Sequence, residues 1–170
     1  LKKNLLQHFG LNYRNFLRTT AIFVDDTKVE PIDPLFTTPG ARMFDLDEDR
    51  AQAMDPISID VKDKDKPGAV TGRLSVRFAS FPVTFASIDK KKVASGKNAN
   101  PRLEIMRQTK GIVFTRLGRQ IDVVTNVPGL TLQNNDRYWG VEVDFDPALD
   151  EEFSITTSKQ RVGVSDRIWD

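Results

Sequence analysis

Two segments of the chain alternate between apolar and polar side chains, and this pattern restricts the possible folds more than any other. Segments 70–79 and 138–145 each place an apolar side chain at every second position: Leu74, Val76 and Phe78 in the first, Val141, Val143 and Phe145 in the second. Successive side chains of a strand point to opposite sides of a sheet, so a period of two indicates strands. The pattern predicts a sheet with one buried face and one wetter face.

Two other patterns predict helices. Leu5 and Phe9 recur at helical spacing near the start of the chain and indicate an opening helix with one apolar face. Pro101 follows Asn100, a favourable N-cap residue, and proline suits the first turn of a helix because the amide there has no helical partner. We therefore expect a second helix over 101–108.

The clearest hairpin consists of segments 111–116 and 119–124, joined across Leu117 and Gly118. A two-residue turn that matches the twist of its strands requires positive φ, so we expect Gly118 to adopt it. Segment 57–61 alternates and predicts a further strand. These elements together predict an α+β fold, with a mixed or antiparallel sheet covered on one face by helices.

The length of 170 residues suits a single domain, assigned here to residues 1–170. With 39% apolar and 29% charged residues the composition is typical of a globular protein. There is no cysteine, and apolar runs are too short for a transmembrane helix or a secretory signal. We therefore expect a cytoplasmic protein with no membrane partner.

Acidic residues are concentrated near the end of the chain, where a divalent-metal site is one interpretation. They are Glu142, Asp144, Asp146, Asp150, Glu151 and Glu152. The first three alternate on one strand face, and the others fall in the first turns of a short predicted helix, where carboxylates favour the helix dipole. No glycine matches the turn of a calcium loop. We expect structural roles and no metal.

The chain has no complete nucleotide-binding motif. Gly96-Lys97 lacks both the earlier glycine and the following Ser or Thr of a phosphate-binding loop. No glycine pair has the spacing of a dinucleotide fingerprint. His8, the single histidine, has no serine or aspartate nearby in the sequence to complete a catalytic triad. We therefore expect no self-contained active site.

Residues 87–120 are strongly basic, with nine Lys and Arg residues against two acidic ones, a net charge of +7. One interpretation is a solvated loop and helix face. The other is a binding module for nucleic acid or another polyanion, or for a protein partner. Aromatic residues are not interleaved with the basic ones, as a stacking platform for bases would require.

Several segments, taken in order and spacing, carry a resemblance to a known family. They are 6–14 with 29–36, then 111–121, then 139–153, and finally Ser158-Lys159-Gln160. The chain resembles the second domain, or transducer, of GHKL-type ATPases, the superfamily of gyrase B, MutL, the heat-shock chaperone and histidine kinases, and in particular a bacterial group within it. The resemblance spans most of the chain.

The resemblance implies a split β-α-β fold of the ribosomal-protein type. It also implies a longer protein whose ATP-binding domain precedes residue 1 and is the partner in cis. Lys159 would contact the γ-phosphate of ATP held by that domain, with Ser158 and Gln160 beside it. ATP and Mg²⁺ would bind only to the full-length protein, so that this chain alone is not an enzyme but part of an ATPase that relays nucleotide state. A homodimer is compatible with the family.

Other assignments stay open at this stage. Gln108-Thr109-Lys110 spells the triplet that senses phosphate in gyrase-type enzymes, but it precedes the hairpin, whereas the sensing lysine of the family follows the last strand. Arg116 and Arg119 flank the hairpin turn and are either secondary site residues or exposed charges. Lys159 itself is either the phosphate contact or a solvated lysine.

Overall fold

The computed structural model describes residues 1–155 and 162–169, with Asn134 and Asn135 described without their side chains. Its helices are α1 (Lys2–Asn12), α2 (Arg102–Gln108) and α3 (Asp166–Trp169). Its strands are β1 (Phe23–Val24), β2 (Thr27–Lys28), β3 (Gln52–Ala53), β4 (Ile57–Lys62), β5 (Val70–Ser80), β6 (Ile112–Arg116), β7 (Arg119–Val124) and β8 (Trp139–Phe145). No helix within these described ranges is long and apolar enough to span a membrane.

Among the described residues, six strands form one mixed sheet in the order β3-β5-β8-β6-β7, with β4 also paired to β5. β8 is antiparallel to β5 and parallel to β6. The expected α+β class with a mixed sheet is therefore present. The expected split β-α-β connection is not formed by β5, α2 and β6, because the two strands that flank α2 run in opposite directions.

One face of the sheet carries the alternating apolar side chains that the sequence predicts. Leu74 and Val76 of β5 pack with Val143 and Phe145 of β8 in one hydrophobic cluster. The chain after β8 covers this face: Phe153 stacks on Phe145 with ring centroids 4.1 Å apart, and Ile168 and Trp169 of α3 pack at its margin.

The opposite face is covered only in part. Ser58, Asp60, Arg73 and Ser75 of β4 and β5 are exposed on it, as expected of a wetter face, whereas Thr115 and Glu142 nearer the centre of the sheet are buried. Leu11 of α1 and Leu103 and Met106 of α2 belong to a second hydrophobic cluster, together with Leu35 and Phe36. The expectation of helices on one face thus holds for α1 and α2 and is wrong for α3. Charged side chains on the covered part of this face need partners, because burial of an unpaired charge is costly. These ion pairs form much of the site described below.

The β6–β7 hairpin turns as the sequence predicts. Gly118 has φ +79° and Leu117 has φ +51°, so both central residues lie in the left-handed region. The carbonyl of Gly118 accepts a hydrogen bond from the side chain of Asn15 at 2.8 Å. A side chain at position 118 would approach Asn15 to 3.3 Å, so that glycine is favoured by space as well as by φ.

Candidate functional site

The β6–β7 hairpin is attached to the end of β8 by Asp144. One carboxylate oxygen of Asp144 accepts hydrogen bonds from the Thr115 hydroxyl and, at 2.8 Å, from the Gly118 amide. Thr115 is fully buried and lies opposite Asp144 in the parallel pair of β6 and β8. The turn is therefore held against the neighbouring strand by a side chain as well as by the ladder.

The next residue of β6, Arg116, continues this attachment into the chain beyond β8. Its Nε and Nη2 donate to the two carboxylate oxygens of Asp150 at 2.6 and 2.7 Å. The hydrogen bond to this carboxylate raises the pKa of Arg116 above its ordinary value. A two-pronged pair of this kind fixes orientation as well as distance.

The chain that follows Asp150 folds back on the chain that precedes α3. The amide of Gly163 donates to the carbonyl of Phe153 at 3.1 Å, and the amide of Ser165 donates to the carbonyl of Glu152 at 2.8 Å. In addition, the amide of Val162 donates to the Asp122 carboxylate of β7 at 3.0 Å. The two ends of the intervening segment 156–161 are thus fixed next to each other.

The predicted site residues Ser158, Lys159 and Gln160 belong to that segment and lie outside the described residues. What the structure defines is the pair of chain ends from which the segment leaves and returns. We call these ends, formed by 150–155 and 162–165, the anchored base. Arg116 contacts the outgoing end and Asp122 contacts the returning end, so both ends are tied to the β6–β7 hairpin.

Glu152 ties the same base to α3. Its carboxylate accepts from the Ser165 hydroxyl at 2.6 Å, from Arg167 of α3 at 2.7 Å and from Lys64 at 2.9 Å. The Ser165 hydrogen bond, reinforced by Lys64 and Arg167, lowers the pKa of Glu152 from 4.5 to about 2. The anchored base is therefore coupled to the hairpin on one side and to α3 on the other.

A buried ionic network lies on the covered polar face of the sheet, nearer its centre. Glu142 of β8 binds Arg14 through one carboxylate oxygen and Arg77 of β5 through the other, the latter at 3.1 Å. The side chains of Arg14 and Glu142 are 3% and 5% exposed. Arg14 also donates to the carbonyl of Leu11 at 2.6 Å and to Gln120 of β7 at 2.9 Å.

Asp33 also belongs to this network and lies in the segment of the chain that packs over it. Its carboxylate accepts from the amides of Leu35, Thr37 and Thr38, each at 3.0 Å, and approaches Arg77 at 3.5 Å. Burial disfavours its charge, but Arg77 and these hydrogen bonds outweigh burial and lower the pKa of Asp33. Asp33 organises the irregular turn after Pro31; its role was not predicted from the sequence, although Asp directly before proline is a recognisable turn signal.

The alternative triplet, Gln108-Thr109-Lys110, lies at the C-terminal end of α2. Gln108, at the end of α2, accepts a hydrogen bond from Gln7 of α1 at 2.8 Å, and Lys110 donates to the carbonyl of Leu132 at 3.4 Å. Thr109 is buried and its hydroxyl donates to the carbonyl of Ile105. Gln108 borders an open groove of about 630 Å³ between α1 and α2.

Three of the nine basic residues at 87–120, namely Lys90, Arg102 and Arg116, bind carboxylates of the same chain. Lys90 binds Asp47 and Asp49 at 2.9 and 2.8 Å; burial opposes its charge, yet these partners raise the pKa of Lys90. Arg102 is fully buried, binds Asp47 at 2.7 Å and stacks over the ring of Phe85 at 4.0 Å.

Arg119 lies over the ring of Tyr13, 5.3 Å from the ring centroid, and thus joins the hairpin to the chain after α1. With Arg116 bound to Asp150, the two arginines that flank the turn make contacts within the domain. These contacts give each arginine a structural role, and for Arg116 that role includes holding the anchored base.

Five of the six carboxylates that suggested a metal site have other partners, and the sixth, Glu151, is exposed. Asp146 accepts from the amide of Arg73 at 2.9 Å, while Glu142, Asp144, Asp150 and Glu152 bind the groups described above. Within the part of the chain that the structure describes, no group of His, Cys, Asp and Glu side chains has the arrangement of a metal site. The other five act in the structure as hydrogen-bond acceptors or ion-pair partners.

Comparison with protein-family models, with curated proteins and with solved structures finds no match to this chain.

Proposed function

We propose that this chain is the transducer domain of a GHKL-type ATPase, which supplies a γ-phosphate-sensing lysine and relays the state of the nucleotide. The lysine is Lys159, with Ser158 and Gln160 as accessory contacts. ATP and Mg²⁺ are bound by an ATP-binding domain that precedes the chain in the longer polypeptide. The isolated chain has no catalytic activity of its own.

The anchored base is the observation that supports this proposal. A lysine that reports on a phosphate in another domain has to extend from its own domain and still be held at a defined place. Here the segment that carries Lys159 leaves and returns at one point, fixed through Gly163 and Phe153 and through Val162 and Asp122. An ammonium group on a segment anchored in this way would suit a terminal phosphate, because it is a compact charge with three donors.

The same base offers a route for the signal. Loss of the γ-phosphate removes the partner of Lys159 and releases segment 156–161. The base reports that change to the hairpin through Arg116 and Asp150, and to α3 through Glu152 and Arg167. A switch of this kind needs a local change of charge contacts and an element whose position depends on it.

Lys110 is a weaker choice for the sensor than Lys159. Its ammonium group contacts the carbonyl of Leu132. The adjacent Thr109 is buried within the domain, and Gln108 is held by Gln7 across the groove between α1 and α2. The triplet 108–110 is therefore part of the packing of α2.

The alternative function, a nucleic-acid or polyanion-binding module, is less favoured by the contacts of the basic residues. Lys90, Arg102 and Arg116 all bind carboxylates of the same chain, so their charges are partly neutralised before any polyanion arrives. A salt titration of DNA binding separates the two functions. A binding module gives a steep dependence on salt, whereas the transducer gives no binding at physiological salt.

The function itself is tested by measuring ATP turnover of the ATP-binding domain with and without this chain attached. We expect turnover to depend on the attached chain, because the domain alone lacks the sensing lysine. The matched control is the same fusion with Lys97→Ala, a charge change outside segment 156–161. Equal turnover with and without the chain would contradict the proposal.

A further inference from the structure

Strand β4 lies at one edge of the sheet and presents apolar side chains to solvent. It pairs with β5 on one side, and no strand among the described residues pairs with its other side. Ile57 and Ile59 are 49% and 46% exposed, although they lie on the apolar face opposite the buried residues Val76 and Leu74. An exposed apolar edge strand is a template for pairing with another strand.

The sequence of β4 is self-complementary in one antiparallel register. If a two-fold axis passes through Ile59, the two copies of Ile59 face each other, Ile57 faces Val61 of the second copy, and Ser58 faces Asp60. Every apolar side chain then meets an apolar one, and each serine hydroxyl meets a carboxylate. The apolar face of each sheet continues across the axis into the other.

Neighbouring registers match less completely. A two-fold axis at Ser58 sets Ile57 opposite Ile59 but places Val61 opposite Asp55. A two-fold axis at Asp60 places two carboxylates directly opposite each other, which is destabilising. An axis at Val61 places Ile59 opposite Asp63. A shift by a single residue sets apolar side chains against polar ones throughout.

Local features limit the pairing to this short strand. Pro56 precedes β4 and has no amide hydrogen to donate to a ladder. At the other end, the register between β4 and β5 shifts between Val61 and Lys62. The like-charged residues Asp55 and Asp63 therefore fall outside the paired stretch. Because each copy uses its single β4 edge once, the association closes as a dimer.

We infer that β4 is the interface of a homodimer, in which the β4 strands of two copies pair antiparallel about Ile59 and join the two sheets into one. The groove of about 440 Å³ beside Ile59 and Val61, bordered by Trp169, lies along the same edge. A ladder of about five residues buries less than the roughly 1,200 Å² of a stable interface, so the dimer is weak and in exchange with monomer. This inference does not depend on the proposed function.

The chain has no cysteine, so that a single introduced cysteine reports the interface directly. Directly opposite residues of an antiparallel pair have Cβ atoms about 5 Å apart, close to disulfide distance. Under mild oxidation of the 170-residue chain, Ile59→Cys should form a disulfide-linked dimer about tenfold faster or more than the control, because pairing raises the effective thiol concentration. The control is Ile88→Cys, at an exposed apolar residue with 64% exposure outside the sheet.

The register is tested by mixing Ile57→Cys protein with Val61→Cys protein. We expect the mixed disulfide to exceed either homodisulfide, because these two positions face each other across the proposed axis. Sedimentation of the unmodified chain should show a mass that rises with concentration, and Ile59→Lys, checked for its fold by circular dichroism, should abolish that rise. If Ile59→Cys and Ile88→Cys cross-link equally, the inference is wrong. It is also wrong if only a different protein, and not a second copy of this chain, pairs with the β4 edge.

Discussion

Arg116 and Asp150 bind each other through two hydrogen bonds of 2.6 and 2.7 Å that join the last residue of β6 to the chain beyond β8. The two residues are 34 positions apart, and their contact connects the hairpin to the anchored base. Asp144, the second-last residue of β8, connects the same hairpin to β8 through its hydrogen bonds with Thr115 and Gly118. Hairpin, last strand and base therefore form one hydrogen-bonded unit.

Arg116→Gln should destabilise this unit. The pair is partly exposed, with side-chain exposures of 18% and 31%, so we expect a coupling of about 1 kcal/mol in a double-mutant cycle with Asp150→Asn. Urea unfolding of the four proteins measures it. Arg73→Gln with Asp60→Asn is the matched exposed pair and should show a smaller coupling. A coupling of zero for Arg116 and Asp150 would mean that the contact does not hold the base.

Arg14→Leu should be among the most damaging substitutions in the chain. It leaves Glu142 buried with only Arg77 as its charged partner, and loss of one member of a buried ion pair costs about 3 kcal/mol or more. Arg14→Lys is the control: it keeps the charge but cannot reach Leu11, Gln120 and Glu142 together, so we expect an intermediate loss. Chemical unfolding of both variants against the unmodified chain measures the difference.

Gly118→Val should destabilise the chain by about 1 kcal/mol or more, because a β-branched residue resists positive φ. The nearby Asn15 adds a steric contribution. Gly118→Asn is the control, since asparagine adopts this region more readily and should cost less. Melting temperatures measure both, and an unchanged value for the valine variant would show that the turn is more tolerant than its φ of +79° suggests.

Glu152 should make the free energy of unfolding depend on pH in the acidic range. Its pKa of about 2 in the folded chain lies below the ordinary 4.5, so its contribution is fully present above pH 4.5. As pH falls from 4.5 towards 2, the unfolded chain takes up the proton first and the contribution is lost.

Urea midpoints of the unmodified chain, measured across that pH range, should fall as the pH is lowered. The fall should be smaller for Glu152→Gln. The exposed neighbour provides the matched comparison: Glu151→Gln should retain the loss seen in the unmodified chain. Identical acid profiles for both variants would contradict the assignment of the pKa shift to the contacts of Glu152 with Ser165, Lys64 and Arg167.

Elements whose signals are local in sequence could be predicted. Alternation at Leu74, Val76 and Phe78 correctly indicated one apolar face of β5, and Gly118 marked a turn that needs positive φ. The short strand β3 was not predicted, because two residues are too few to carry a periodic signal. The positions of Ser158, Lys159 and Gln160 stay predictions, since they lie outside the described residues.

Contacts between distant residues could not be predicted in the same way. Arg14 and Glu142 are 128 positions apart. Neither residue lies in a local sequence pattern that indicates burial of its charge. Glu142 and Asp144 were correctly placed on one strand face, but the sequence did not indicate that α1 and the turn at Asp33 cover that face. Pairing of buried charges depends on the tertiary arrangement, which a single sequence specifies only through the whole fold.

The most direct test of the transducer proposal is ATP turnover by the polypeptide that joins this chain to its ATP-binding domain, measured for Lys159→Ala and for Lys110→Ala. We predict that Lys159→Ala lowers turnover by about 10²-fold, the scale for losing one charge-stabilising group, while the melting temperature stays unchanged. Lys110→Ala should have a much smaller effect. If the two effects are reversed, the sensor is the triplet at 108–110; if neither variant changes turnover, the proposal that this chain is a GHKL transducer is wrong.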